Sequence, residues 1–388
     1  LVIVLNKGRG SGEYVRQMCK RLTSKGFHFT IASTQEVLVE GCKSITVPLK
    51  TPVIPVHEYL PGANQKPVYK MDYSEAYEIV KTFLETLKPQ MNGIELIHAH
   101  HANITAIVGQ KLGQQFNIPV VNTVHGTGLE RLENFNPQIQ EEIKESLLKT
   151  DRIILTSQFM KNMLNTKLPS FPEKKIEIIP CGVDTQEIAP KEQISLTPAF
   201  SQDQIKNNGL EKPFVLFAGA HIEAKGPHHL VKAMDHYHDQ IQTIFIGDGP
   251  LRKELEKEVD ERHLNASFLG FVTEEQKNVL FSHATLSVLP ILKDEHFGIV
   301  FIEAFAAGTP IVTYTGGSAE EIVTSDVGVT IKKGDYLHFG NTVKKVVQDK
   351  ILLNKMSRSA REKAEKLYDY DSSIIPRFEN LFTTLKKS

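Results

Sequence analysis

What most limits the fold of this 388-residue chain is a change of hydrophobic period that recurs from end to end. Apolar runs of strand length alternate with stretches whose apolar residues return every three to four positions. Leu1–Leu5 reads as a strand, Gly8–Gly12 as a turn, about Glu13–Ser24 as a helix and Phe29–Ala32 as the next strand. Ile94–His98, Pro119–Thr123, Ile153–Thr156 and Ile176–Ile179 read as further strands, with helices over Asn103–Gln115 and Gln138–Lys149. Residues 180–213 then lose the period and are rich in Pro, Gln, Asn and Lys. The alternation restarts with strands at Phe214–Gly219, Gln242–Gly247, Ser267–Leu269, Leu286–Leu289 and Val327–Ile331, helices at His229–Tyr237 and Pro250–Glu261, and helices to the end. Repeated strand–helix alternation builds βαβ units around a mostly parallel sheet. The expectation is therefore two α/β halves joined near 180–213. Open parallel sheets bind ligands beyond the carboxyl ends of their strands, so two such halves facing each other would hold one in the cleft between them.

Composition matters mainly for what it excludes. The net charge is −1, which creates no global field for nucleic acid. Cys19, Cys42 and Cys181 form neither a disulfide framework nor a zinc pattern, and a reducing, cytoplasmic setting suits them. The first apolar run is too short for a signal peptide, and no run is long enough to span a bilayer. Charge is uneven at the start: before His28 stand Lys7, Arg9, Arg16, Lys20, Arg21 and Lys25 against Glu13 alone. This is either a solvated helix face or a basic helix over residues 16–25 that touches an anionic acceptor or makes peripheral contact with anionic lipid at the inner membrane face.

The richest stretch in chemistry is 295–317. Glu295 and Glu303 flank Phe297-Gly298, an apolar helix pattern closes on Gly308 and Pro310, and a strand pattern runs into Gly316-Gly317. Phe301, Ala304, Phe305 and Gly308 share one helical face, so the helix begins near Gly298. The N–H groups of Gly298, Ile299 and Val300 are then unpaired donors at a helix N-terminus, which attracts anions. Ser318 with Glu321 reads as a capping box for the next helix.

Other sites are weaker alone. Lys225 closes a strand-to-helix turn, Gly219-Ala-His-Ile-Glu-Ala-Lys-Gly226, in a phosphate-site layout. Gly8-Arg-Gly-Ser-Gly12 follows the first strand but lacks the spacing of a dinucleotide turn and an acidic residue at the end of the second strand, which disfavours NAD. His125-Gly126 sits at the carboxyl end of a strand. His98, His100 and His101 lack an evident carboxylate or fourth ligand for a metal. Asp369-Tyr-Asp371 lies among helical residues and reads as a solvated turn. The sequons at Asn103 and Asn265 carry little without a secretory signal.

Taken in order, these residues resemble the family-4 retaining glycosyltransferases of the GT-B fold. The likeness rests on Gly10-Ser-Gly12-Glu13, His98-Ala-His100, His125-Gly126, Ile179-Pro-Cys-Gly-Val-Asp184, Glu223-Ala-Lys225-Gly226, Gly247-Asp-Gly249-Pro250, Leu269-Gly-Phe-Val272 and the Glu295/Glu303 pair. The resemblance implies an α/β GT-B fold of two facing Rossmann-like domains. Residues 1–180 would be the acceptor-side domain and 181–370 the nucleotide-sugar domain, with a last helix at about 371–388 crossing back to the first. It implies retaining transfer of a hexosyl unit from a nucleotide-diphosphate sugar to a hydroxyl acceptor, with no bound metal and no cofactor. Glu303 would hold the ribose, Glu295 the donor sugar, and Lys225 with the amides of Phe297, Gly298, Ile299 and Val300 the diphosphate. Backbone near Val272 would meet the base, His125 the transferring sugar, and Gly10, Gly12 and Gly247 would let backbone approach the donor.

One departure stands out. Where the family commonly has an Arg after the glycine of the Gly219 strand, this chain has Ala220 followed by His221. Loss of that guanidinium removes a charge-assisted phosphate contact; either His221 or another cation substitutes for it, or the diphosphate is bound differently. The acceptor, a glycan, a small molecule or a lipid-linked hydroxyl, is left open, with the irregular segments Pro48–Asp72 and Gly126–Asn136 expected beside it. Rival readings are a nucleotide-sugar 2-epimerase, a non-catalytic sugar-nucleotide binder, and a glycosidase using Glu295 and Glu303 as acid and base. The glycosidase leaves Lys225 and the glycine turns unexplained.

Overall fold

The computed structural model describes residues 1–5, 10–50, 53, 54 and 66–386. By contact the chain divides into two compact units, Leu1–Cys181 with Ile375–Ser388, and Gly182–Ile374.

The first unit is built on β1 (Val2–Ile3), β2 (Thr30–Ser33), β3 (Lys43–Thr46), a separate pair β4 (Val53–Ile54) and β5 (Lys66–Pro67), then β6 (Ile97–His100), β7 (Val120–Val124), β8 (Arg152–Leu155) and β9 (Ile176–Ile178). The large sheet runs β3-β2-β1-β6-β7-β8-β9, and every pairing in it is parallel. Parallel strands need crossovers, which cover both sheet faces and bury the central strands. On one face Ile97 and Ala99 of β6 meet the helix Ile104–Phe116; a Cβ added at Gly109 would stand 3.0 Å from Ala99. On the other, His98 lies against Phe378 and Phe382 of the last helix, Ile375–Lys386, and His100 against Tyr14 of the first, Gly10–Thr23. Lys25 pairs with Glu379 at 3.1 Å and Lys386 with Glu95 at 2.7 Å, tying that last helix to the unit.

The helix Gly10–Thr23 begins earlier than its apolar period suggests, so Gly10 and Gly12 lie in its first turn rather than in the preceding loop. The rest of the expected turn, Gly8 and Arg9, falls outside the described residues, as do Lys7 and most of the irregular segment expected at Pro48–Asp72. That segment ends at a helix cap: Asp72 accepts from Glu75 N and Glu75 accepts from Asp72 N, both at 2.9 Å, opening Tyr73–Leu87. Arg16 pairs with Glu13, so with Lys25 held by Glu379 the basic start is partly neutralised within the unit. Among the described residues no helix is long and apolar enough to cross a membrane.

The second unit carries β10 (Phe214–Ala218), β11 (Gln242–Ile246), β12 (Ala266–Gly270), β13 (Leu286–Leu289), β14 (Ile311–Tyr314) and β15 (Gly328–Ile331). Its sheet, also all parallel, runs β12-β11-β10-β13-β14-β15. The order reverses between β10 and β13: connections from β10 lead one way, and those from β13 the other. A crevice opens at such a switch point, beyond the carboxyl ends of the two strands. Two local expectations fail here. Ser318 does not cap the helix Ala319–Ile322; its hydroxyl donates to Phe297 O at 2.9 Å instead. Asp369 is no solvated turn residue: it accepts from Thr185 Oγ1 at 2.7 Å and from Ser372 N at 2.8 Å, and its segment bridges Val183.

Candidate functional site

The loops after β10 and β13 meet at the switch point. Ala224 O accepts from Leu292 N and Lys293 N, each at 3.0 Å, which binds one loop to the other. Lys225 closes a single 3₁₀ turn, Glu223–Lys225, and its ammonium forms an ion pair with the Glu295 carboxylate. The two residues are 70 positions apart in sequence. Glu295 is held from behind. It bridges Gly317, and its carbonyl accepts from Ser318 N at 2.8 Å. A Cβ at Gly317 would sit 2.2 Å from Glu295 O, so only glycine lets the loop after β14 pass so close.

The chain then turns through Gly298, whose φ of +79° places it in the left-handed region just before the helix Ile299–Ala306. A side chain there would be strained and would meet the Phe301 ring at 2.6 Å. Gly308, φ +71°, ends the helical segment as its spacing predicts. Phe297 and Gly298 are buried, Ile299 and Val300 half-buried. The N–H groups of Gly298, Ile299 and Val300 make no hydrogen bond among the described residues, leaving three donors at the positive end of the helix dipole.

Glu303 lies one turn further on. Its carboxylate, 17% exposed, takes Lys277 Nζ at 2.7 Å, and Lys277 also reaches Glu274 at 2.6 Å. Burial disfavours the Lys277 charge, but Glu303 and then Glu274 outweigh it and hold its pKa above the ordinary value. Lys277 escaped the sequence reading because it belongs to no motif. The Thr273/Gln276 capping box that starts its helix, Glu274–His283, was legible and would have located it. Gly247 directly follows β11, and Val272 follows β12, half-buried, so both stand at carboxyl ends of the same sheet.

His221 does not fit its expected part. Its side chain is 0% exposed, with Phe217, Phe245 and Phe268 rings 5.8–6.3 Å away. A sealed ring offers no atom to a leaving phosphate, so it does not replace an arginine there. Both its ring nitrogens lack a hydrogen-bond partner, and burial pulls its pKa down to about 4.

The remaining sequence-derived residues belong to the first unit: Gly10, exposed, Gly12, buried, and His125, half-buried after β7. His125 joins a histidine cluster. Strand alternation puts His98 and His100 on one sheet face, and His100 Nδ1 lies 3.0 Å from His125 Nε2. His98 Nε2 lies 2.7 Å from Thr123 Oγ1. Burial pushes the pKa of His98 down to about 3 and those of His100 and His125 well below the usual histidine range, so the cluster is neutral near pH 7. Among the described residues no group of three or more His, Cys, Asp or Glu is arranged to hold a metal ion.

Residues 200–363 match the family model of glycosyl transferases group 1, and residues 8–187 match that of glycosyltransferase family 4. An uncharacterised glycosyltransferase of Methanocaldococcus jannaschii is 25% identical over 293 residues, 75% of each chain. The fold is similar to that of sucrose-phosphate synthase from Thermosynechococcus elongatus, with a TM-score of 0.74 over 99% of this chain and 98% of that one at 22% identity. It is equally similar, at 16% identity and a TM-score of 0.74 over 99% and 98% of the two chains, to Anabaena HepE solved in complex with UDP-glucose. With two parallel-sheet Rossmann-like units and both halves matched, the chain belongs to the family-4 glycosyltransferases of the GT-B fold.

Proposed function

We propose that this glycosyltransferase is a retaining, metal-independent hexosyltransferase whose nucleotide-diphosphate donor lies in the switch-point crevice of the second unit. The observation that carries the reading is the Lys225–Glu295 pair, formed across that crevice beside the open N–H groups of Gly298, Ile299 and Val300. A cation, three aligned amides and a carboxylate suit a substrate with an anionic half and a hydroxylated half. Lys225 exchanges Glu295 for the diphosphate, and the freed carboxylate takes sugar hydroxyls. Glu303 binds the ribose, and backbone at Val272 the base. His125 acts in the transfer step.

The chemistry follows from charge. The anomeric carbon–oxygen bond to phosphate breaks, its electron pair leaves on the diphosphate, and positive charge builds on the sugar. Lys225 and the helix N-terminus stabilise the departing anion in place, which is the role a metal ion would otherwise have. The acceptor hydroxyl forms the new bond on the face the diphosphate leaves, and a phosphate oxygen of the donor takes its proton. Configuration is thereby retained.

The test is a panel of UDP-, GDP- and ADP-hexoses read by thermal shift and nucleoside diphosphate release, with and without EDTA, starting from UDP-glucose because HepE binds it. One nucleotide should raise the melting temperature, release should survive EDTA, and the product's anomeric proton should show the donor's configuration. Loss of release in EDTA, or an inverted product, overturns the corresponding part. Release of an epimerised sugar without acceptor would establish the epimerase instead.

A further inference from the structure

We propose that His100 is a positioning residue for His125, donating its Nδ1 proton to His125 Nε2 and thereby fixing His125 as the tautomer that carries its proton on Nδ1. The proposal rests on the reading that His125 serves the transfer step.

The two rings lie edge to edge and nearly in one plane, with centroids 5.3 Å apart and planes inclined by 14°. Their facing nitrogens, His100 Nδ1 and His125 Nε2, are 3.0 Å apart. Both imidazoles are neutral, so one nitrogen must donate and the other accept. Two arrangements satisfy this, and they differ in what happens at the far side of His100. His100 is 0% exposed, and its Nε2 has no hydrogen-bond partner. If His125 donated, His100 would carry its proton on that sealed Nε2, leaving a buried N–H with nothing to bond. If His100 donates, the sealed atom is a bare lone pair. Buried N–H groups without an acceptor are the rarer defect, and an unused acceptor costs less than a stranded donor. The second arrangement is therefore the stable one.

The surroundings hold His100 in place. It ends β6 in register with Thr123, and its carbonyl accepts from the Thr105 hydroxyl. The His98 ring lies 4.2 Å from it, centroid to centroid, with His98 Nε2 held by Thr123 Oγ1. His100 thus cannot turn away without disturbing a strand that is buried on both faces. The consequence for His125 is a definite chemical polarity. Its Nε2 is committed to His100, and its Nδ1, which has no hydrogen-bond partner among the described residues, is a donor. His125 then enters the reaction offering an N–H to an oxygen atom, and it is not a ground-state base.

The decisive experiment is long-range ¹H–¹⁵N correlation spectroscopy of histidine-labelled protein at pH 7.5, with His125 assigned through His125→Gln. The expected spectrum shows His125 protonated on Nδ1 and bare on Nε2. In His100→Leu the constraint is gone, and His125 should shift towards the Nε2–H tautomer that a free imidazole favours. In His100→Asn the amide N–H takes the place of Nδ1, and the Nδ1–H tautomer should return. A wild-type His125 protonated on Nε2, or one unchanged by His100→Leu, overturns the proposal; should the Leu variant fail to fold, wild type and His100→Asn decide it. A second readout follows UDP release from UDP-glucose. His100→Leu should lower kcat about tenfold or more with KM unchanged, and the Asn variant should recover most of it. If His125→Ala keeps wild-type release while the tautomer behaves as stated, the reading of His125 fails and the dyad stands.

Discussion

Replacing His221 by leucine should make this protein more stable, and more so in acid. The wild-type ring is enclosed by Phe217, Phe245 and Phe268, with both nitrogens lacking a partner. A polar group buried without a hydrogen bond costs about 1–3 kcal/mol, and leucine fills a similar volume without that cost. The pH dependence has a definite sign. Burial, the largest cause, lowers the His221 pKa from 6.5 to about 4; Asp248 opposes the shift, Arg252 adds to it and Glu256 opposes it. The folded state refuses a proton that the unfolded chain accepts. Its share of stability is complete above pH 6.5 and drains away as pH falls towards 4. At pH 5 the loss from this one group is about 2 kcal/mol by linkage.

The assay is urea denaturation at pH 7.5 and pH 5.0 for wild type and His221→Leu, followed by far-ultraviolet circular dichroism because the chain has no tryptophan. The variant should lead by about 1–3 kcal/mol at pH 7.5, and the gap should widen by about 2 kcal/mol at pH 5.0. The buried histidines of the first unit titrate equally in both proteins, so they cancel in the difference. A gap that does not widen in acid would show that the ring reaches solvent. A variant less stable at both pH values would show that its nitrogens are satisfied, and the account of His221 as a sealed, unpaired group would be wrong.

Four further outcomes are expected. Glu295→Gln should lower turnover by about 10²-fold or more, since on the proposed reading it removes charge beside the reacting sugar; wild-type turnover would remove the assignment. Glu303→Ala should act mainly on donor KM, and an unchanged KM would show that the ribose lies elsewhere. Lys225→Ala should weaken the free nucleoside diphosphate by about 1.5–3 kcal/mol, one charge-assisted contact, measured by calorimetry; equal affinity would place this lysine away from the phosphates. Gly298→Ala should cost about 1–2 kcal/mol of stability for the left-handed backbone alone, with added strain from Phe301, and should weaken diphosphate binding; a neutral effect on both would refute the turn's role.

Local chemistry was the legible part of the fold. Most strands of both sheets announced themselves because central parallel strands are rich in apolar residues, and Gly308 before Pro310 marked a helix end correctly. β3 did not, because Lys-Ser-Ile-Thr at an exposed edge has one apolar residue and no burial to select more. The Ser318/Glu321 spacing suggested a cap, but the serine hydroxyl found the Phe297 carbonyl, a competitor that only the folded loop supplies. His221 misled for a similar reason: a histidine after Gly-Ala at a strand end looks like a loop residue, and its enclosure depends on Phe245 and Phe268, which come from two other strands. For the site, residue types were visible while partnerships were not. Lys225 meets Glu295 only because the strand order puts β10 beside β13, and no periodicity encodes strand order.

Those partnerships change how the site must work. Each carboxylate proposed for the donor already has its own lysine, Lys225 on Glu295 and Lys277 on Glu303. At 19% and 17% exposure, neither carboxylate would be cheap to leave ionised and alone. Each of these carboxylates therefore rests against a lysine, and on the proposed reading donor binding would exchange partners rather than fill a charged hole. Lys225 leaves Glu295 for phosphate at least cost when sugar hydroxyls arrive to replace it, which would couple recognition of the anion to recognition of the sugar. A free nucleoside diphosphate supplies the anion without the hydroxyls, and so binds against the cost of stranding Glu295. Removing that cost with Glu295→Gln should help the free nucleotide, which has no sugar to miss the carboxylate, more than the intact donor.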